Sequence, residues 1–166
     1  VVIANEDIQK AKKIADMLNT EYYHTSFSND LNGIEVSAAI KNIFSMAVGA
    51  AKGICADNIS NEVREKNYLN TASALIKQSI HEMEIFVEHL NGKKETVKGL
   101  AGLGDLYVSS AGGRNAKMGS YIGIALLIIL YSSIGLFCSS IFTNHMIALS
   151  GTIMIILLLR ANVPFR

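Results

Sequence analysis

From Met118 to Leu159 the chain carries no formal charge, and only His145 could titrate there. A helix without a polar face must be buried or lie in lipid. The stretch YIGIALLIILYSSIGLFCSSIFT (121–143) is long enough to cross a bilayer. MIALSGTIMIILLL (146–159) is shorter than a usual span. Taken literally, the two form a membrane hairpin. The remainder is built differently. Residues 1–117 hold all 14 Asp and Glu and 13 of the 15 Lys and Arg. A water-facing domain must therefore come from the first part of the chain.

Half of the 166 residues are hydrophobic, which is enough for one domain with a real core. The net charge of +1 gives no electrostatic case for nucleic acid. Cys55 and Cys138 lie far apart and match no metal spacing. So few cysteines suit a reducing compartment. Asn58-Ile59-Ser60 is a glycosylation tripeptide with no signal peptide to support it. The chain opens on Val1, within an apolar run, which points to an N-terminal portion outside this sequence.

The pattern predicts a strand at VVIAN (1–5), with Asn5 capping a helix over 6–18. That helix places Ile8, Ala11, Ile14, Ala15 and Leu18 on one face. YYHTSF (22–27) reads as a second strand, and strand–helix–strand suggests the end of an α/β domain. From Asn32 onward the pattern is helical. A helix over 33–54 is apolar nearly all round and is expected to be buried. Residues 58–68 read as a loop or short helix. A helix over 70–90 draws its apolar face from Ala74, Ile80, Met83, Phe86, Val87 and Leu90, and Asn91-Gly92 ends it. A short helix over 94–98 leads into the glycine-dense stretch GLAGLGDLYVSSAGGRNAKMG (99–119).

Three features carry chemistry. Lys41 is the only charge between Val36 and Ala51. Taking an ammonium out of water favours the neutral amine, which suits proton transfer. The plainer alternative is a lysine whose stem lies on the core while its ammonium reaches water. Asn42 follows it directly, with an amide that can orient a polar ligand. Asp105 is the only acid between Glu95 and the C-terminus. It can bind a substrate hydroxyl or an ammonium, or simply cap a helix. GLAGLG is not the dinucleotide fingerprint, because Ala101 stands where the second glycine belongs. Close backbone packing around Asp105 is the better reading. In GGRN (112–115) two glycines admit an anion close to the backbone, and Arg114 offers a fork of donors to phosphate. His81-Glu82 starts the zinc-protease motif, but Ile85 stands where its second histidine belongs, and no metal site is expected.

Together these segments resemble the NAD(P)-dependent glycerol-3-phosphate dehydrogenases. The likeness runs from Val1 to about Gly123. It is strongest in IEVSAAIKNIFSMAVGAAKGI, TASALIKQSIHEMEIF and GKKETVKGLAGLGDLYVSSAGGRNAKMG. The resemblance implies a mainly α fold: the last strand–helix–strand of a Rossmann-like domain (1–30), a helical substrate domain (31–123) and an apolar, atypical tail (124–166). It implies dihydroxyacetone phosphate and glycerol 3-phosphate as substrates, NAD or NADP as cofactor, and a cytoplasmic enzyme of glycerophospholipid synthesis. It makes Lys41 the catalytic acid/base. Asn42, Asp105, Gly113, Arg114 and Asn115 join Lys41 around the substrate, with Arg114 also near the cofactor. A homodimer is one expected assembly.

The departures matter too. Many bacterial members carry Ser where Gly113 stands. The glycine-rich nucleotide loop of the family is not in this sequence, and the tail lacks the family's cofactor-contacting glutamate. The tail admits two readings, a membrane anchor through 121–159 or the product of a shifted reading frame. A membrane-anchored, non-catalytic helical module is the alternative function. It has no need of the Lys41, Asp105 and Arg114 set.

Overall fold

The computed structural model describes residues 1–55, 61–141 and 145–161, with side chains over 1–55, 68–141 and 149–157. Helix dominates, as expected. Two three-residue strands, β1 (Val2–Ala4) and β2 (Ser26–Ser28), pair in parallel with Val2 opposite Ser26 and Ala4 opposite Ser28. A parallel pair needs a crossover, and α1 (Ile8–Leu18) supplies it. The second strand lies later than YYHTSF suggests. Thr20 and Tyr23 close a turn instead, with Thr20 N–H donating to the Tyr23 carbonyl at 3.0 Å. The cap of α1 is Asp7, not Asn5: its carboxylate accepts from the N–H of Gln9 at 3.0 Å and of Lys10 at 3.4 Å. Asn5 accepts from the Asp7 N–H instead, one step earlier. Of the five apolar residues expected on one face of α1, only Ala11 and Ala15 are buried.

The helical part follows: α2 (Leu31–Ile54), α3 (Asn61–His89), α4 (Lys94–Lys98), α5 (Asp105–Gly112), α6 (Arg114–Ile141) and α7 (His145–Ala161). A π-helical turn, Leu100–Gly104, joins α4 to α5. The polar segment 58–68 is helical from Asn61, so α3 starts well before residue 70. Residues 58–60 lie outside the described residues. Asn91, in the left-handed region at φ 61°, turns the chain after α3, where an amide side chain is well tolerated.

The core is small and sits where α3, α4 and α5 meet α2. Met83, Val87, Val97 and Leu106 are fully buried, with Val36, Ile40 and Phe44 of α2 packed on them. The buried stripe of α3 runs Ala72, Ser79, Met83, Val87 at helical spacing. Ala74, Phe86 and Leu90 of the expected face are exposed, because the stripe is rotated from the one the apolar residues suggest. Contrary to expectation, α2 is not buried all round: Ile43 is 67% exposed, and the residues it buries are mostly small.

Small residues set the packing of α2 on α6. A Cβ on Gly49 would lie 2.0 Å from the Ala116 carbonyl oxygen, and one on Gly119 2.0 Å from that of Met46. Gly53 meets Ser120 and Gly123 meets Ala50 in the same way. The two backbones touch, and bare glycine permits it.

Asp30 holds the entrance of the domain. Its carboxylate caps α2 through the Gly33 N–H (2.9 Å), takes the Lys93 N–H (2.9 Å) and accepts from the Thr96 hydroxyl. Burial alone would raise its pKa. The hydrogen bonds from Thr96, Lys93 and Gly33, together with the Lys93 charge, outweigh burial and hold it below the ordinary 3.8. The unfolded chain releases this proton near pH ~3.9, so the stabilisation is complete above that pH. It is lost as pH falls through the lower folded value. The melting temperature should therefore fall on acidification below about pH 4. In Asp30→Asn it should start lower at neutral pH and depend less on pH there. Equal acid sensitivity in the two proteins would remove Asp30 as a contributor.

Candidate active site

Lys41 stands in the middle of α2, one residue beyond Ile40, which packs on the core. Only 17% of its side chain is exposed. Asp105 is the first residue of α5. Leu106 beside it is fully buried in the core and fixes that helix start. Gly102 lets the π-helical turn press on the preceding backbone, where a Cβ would lie 2.1 Å from the Val97 carbonyl oxygen. The close packing expected of the glycine-dense stretch is thus present, and it delivers Asp105 to Lys41. The two form an ion pair across 64 residues of sequence. Asp105 is more open, with 42% of its side chain exposed. This answers both plain alternatives: the ammonium meets a carboxylate, and that carboxylate reaches across to α2 rather than capping its own helix.

A second bridge lies beside the first. Asn115 Nδ2 donates to Asn42 Oδ1 at 2.7 Å, tying the first turn of α6 to the residue after Lys41. The Ser45 hydroxyl donates to the Asn42 carbonyl at 2.9 Å and steadies that turn of α2. Gly113 is extended (φ −65°, ψ 164°) and breaks the chain between α5 and α6. A Cβ there would lie 2.6 Å from the Ser109 carbonyl oxygen, so the glycine serves the tight junction. Arg114 opens α6 and is exposed. The first-turn N–H groups of any helix lack intrahelical acceptors and favour anions.

Five of the six residues singled out in the sequence thus lie on three neighbouring helices, and Gly113 is the junction between two of them. Lys41, Asn42, Asp105 and Asn115 are joined in two bonded pairs. Gly113 and Arg114 adjoin Asn115 along the chain, and the described contacts join neither to Lys41. Together they offer a cation shielded from water, a carboxylate, two amides and a guanidinium at a helix start. That set suits a small, hydroxylated anion. Sequence reasoning missed Asp30 and the glycine contacts behind the site. Asp30 followed by Gly33 at a helix start was the available signal for the first. Among the described residues no cluster of His, Cys, Asp and Glu could hold a metal.

A family model matches residues 30–129: the C-terminus of NAD-dependent glycerol-3-phosphate dehydrogenase. The chain belongs to this family. The match includes all six site residues and the part of α6 that packs on α2. An NADP(+)-dependent glycerol-3-phosphate dehydrogenase of Archaeoglobus fulgidus is 33% identical over 129 residues, 77% of this chain and 36% of its own. A glycerol-3-phosphate dehydrogenase [NAD(P)+] of Halothermothrix orenii is 34% identical over 125 residues, covering 74% and 33%. The crystal structure of glycerol-3-phosphate dehydrogenase from Coxiella burnetii superposes with a TM-score of 0.59 at 29% identity, over 73% of this chain and 34% of that one. The chain thus spans about a third of the length of these relatives.

The turn between β1 and α1 is not a dinucleotide-binding turn. Between β1 and α1 stand Asn5, Glu6 and Asp7, with no glycine-rich turn. Two carboxylates at the helix start repel a pyrophosphate.

Proposed function

We propose that this chain supplies the substrate-binding and proton-transfer part of an oxidoreductase. It interconverts dihydroxyacetone phosphate and sn-glycerol 3-phosphate, with NAD or NADP as redox partner, in the cytoplasm, and feeds glycerophospholipid synthesis. Residues 1–30 are the end of the nucleotide-binding domain, 31–123 the substrate domain, and 124–166 an apolar tail that begins within α6. The observation that carries the reading is the shielded Lys41–Asp105 pair.

The chemistry of this chain's own residues is proton transfer and binding. When the C2 carbonyl becomes an alcohol, its oxygen must gain a proton. The Lys41 ammonium gives that proton, and the Lys41 amine takes it back in the reverse direction. Asp105 holds the ammonium in place and accepts from a substrate hydroxyl. Arg114 and the first-turn N–H groups of α6 bind the phosphate. The Asn42–Asn115 bridge fixes the distance between the phosphate end and the proton donor. Arg114 is the residue of this chain nearest in role to the cofactor.

Arg114→Ala, in an enzyme completed with a nucleotide-binding portion, should raise KM for dihydroxyacetone phosphate on the order of tenfold or more, as expected for losing a charge-assisted contact. Arg114→Lys should restore part of the loss, because a point charge replaces a fork. Unphosphorylated dihydroxyacetone should be turned over almost equally by both proteins. Equal damage with both substrates would assign Arg114 to cofactor or fold and would remove phosphate recognition from this helix start.

A further inference from the structure

The tail has a use that the dehydrogenase reading does not supply. We propose that the α6–α7 hairpin enters a lipid bilayer and holds the domain against the membrane surface. The first turns of α6 belong to the domain: Gly119 and Gly123 are buried against α2. Beyond them the helix changes character. Ile128, Ile129 and Leu130 follow one another around the helix at steps of about 100° and are 61, 61 and 49% exposed. On its other side α6 meets α7, where a Cβ on Gly135 would rest 3.8 Å from the Thr152 Cγ2. The partner helix turns its own apolar residues outward, with Met154 and Leu157 exposed. The hairpin thus lacks a charged face, and the exposed Ser133 and Ser140 turn their hydroxyls back onto carbonyls of their own helix. A second copy or another protein would cover one side and leave the other bare, whereas lipid covers both.

The length of α6 and the charge pattern agree with lipid. From Ile124 to Ile141 the helix rises roughly 27 Å, close to the hydrocarbon thickness of about 30 Å, whereas the uncharged part of α7, up to Leu159, rises only about 22 Å and reaches part of that depth. Neither arm carries a charge between Met118 and Leu159. Because the arms run antiparallel, Lys117 in the first turns of α6 and Arg160 near the end of α7 lie toward the same end of the hairpin. No acid follows Asp105 in the chain, so the hairpin's own charges at that end are both cationic and complement anionic headgroups. Its positive charge also places the domain on the cytoplasmic face.

The test is cell-free synthesis of the 166-residue chain with vesicles of phosphatidylcholine and phosphatidylglycerol, followed by flotation. The chain should float with the vesicles and resist extraction by salt and by alkaline carbonate. The double substitution Ile129→Glu with Leu130→Lys changes only exposed positions. One such charge should lower the bound-to-free ratio on the order of a hundredfold. Val108→Lys, an exposed position on α5, should float like the parent. Failure to float, whether as a monomer, a dimer or a pellet, would overturn the proposal. So would flotation indifferent to the two charges, or flotation released by salt alone.

Discussion

In a dehydrogenase completed by joining residues 30–123 of this chain to the nucleotide-binding portion and the C-terminal continuation of the Archaeoglobus fulgidus relative, Lys41→Ala should lower kcat by a factor on the order of 10² or more. The alanine protein should bind dihydroxyacetone phosphate with a KM within a few-fold of the parent, because phosphate contacts on α6 are untouched. Lys41 is the one shielded ammonium on this face of α2, and its partner Asp105 is fixed by a buried neighbour and a close-packed turn. Removing it leaves bulk water to protonate the new alkoxide, with no positioned donor. Asp105→Asn should cost less than Lys41→Ala, since the amide can still hold the amine by a hydrogen bond. A Lys41→Ala protein with near-parental kcat would take this residue out of the mechanism.

The second large effect concerns the frame behind the site. Gly119→Val should destabilise the domain by on the order of 3 kcal/mol or more. A Cβ at Gly119 falls 2.0 Å from the Met46 carbonyl oxygen, and that neighbour is backbone, which cannot swing away. The helices must separate, and Asn115 then loses its hold on Asn42. Catalysis should fall along with stability, first through KM, because the phosphate end moves relative to Lys41. Gly112→Ala is the matched control, since nothing lies within 4 Å of a Cβ there. Its stability should change by no more than about 1 kcal/mol. Urea unfolding of the three proteins decides the matter. A Gly119→Val protein as stable as the control would mean that α2 and α6 do not touch as described.

The site was legible because chemistry-bearing residues are sparse where they matter. One lysine in an uncharged stretch of α2 and one acid in the last sixty-odd residues before the tail's end stand out in a one-dimensional reading. Their partnership followed only from the family resemblance, because 64 residues separate them and spacing alone does not join them. The Asn42–Asn115 bridge was hidden for the same reason. Helix existence followed from periodicity, whereas helix faces did not. Ile43 and Phe86 look like core residues and are exposed. The core stripe of α3 passes through Ala72 and Ser79, which apolarity alone does not select. The burial of α2 was misjudged because it packs through glycine and serine, so its large apolar residues are not its contacts. Asp30 was passed over because a lone acid before a helix reads as an ordinary cap. Its three partners come from the helix start and from a segment about sixty residues away.

The central claim is that the Lys41 amine itself carries the proton to and from the substrate oxygen. The most direct measurement adds small primary alkylamines to the Lys41→Ala form of the completed dehydrogenase and follows dihydroxyacetone phosphate-dependent oxidation of NADPH. The shielded space vacated by the side chain should admit an alkylammonium beside Asp105. The account predicts saturable recovery of turnover, with rates that depend on amine acidity as general-acid catalysis requires. Quaternary ammonium ions of similar size, which hold no proton, should give none. If the alanine protein binds substrate and NADPH normally yet no amine restores turnover, or if quaternary ions restore it equally, Lys41 is not the proton donor.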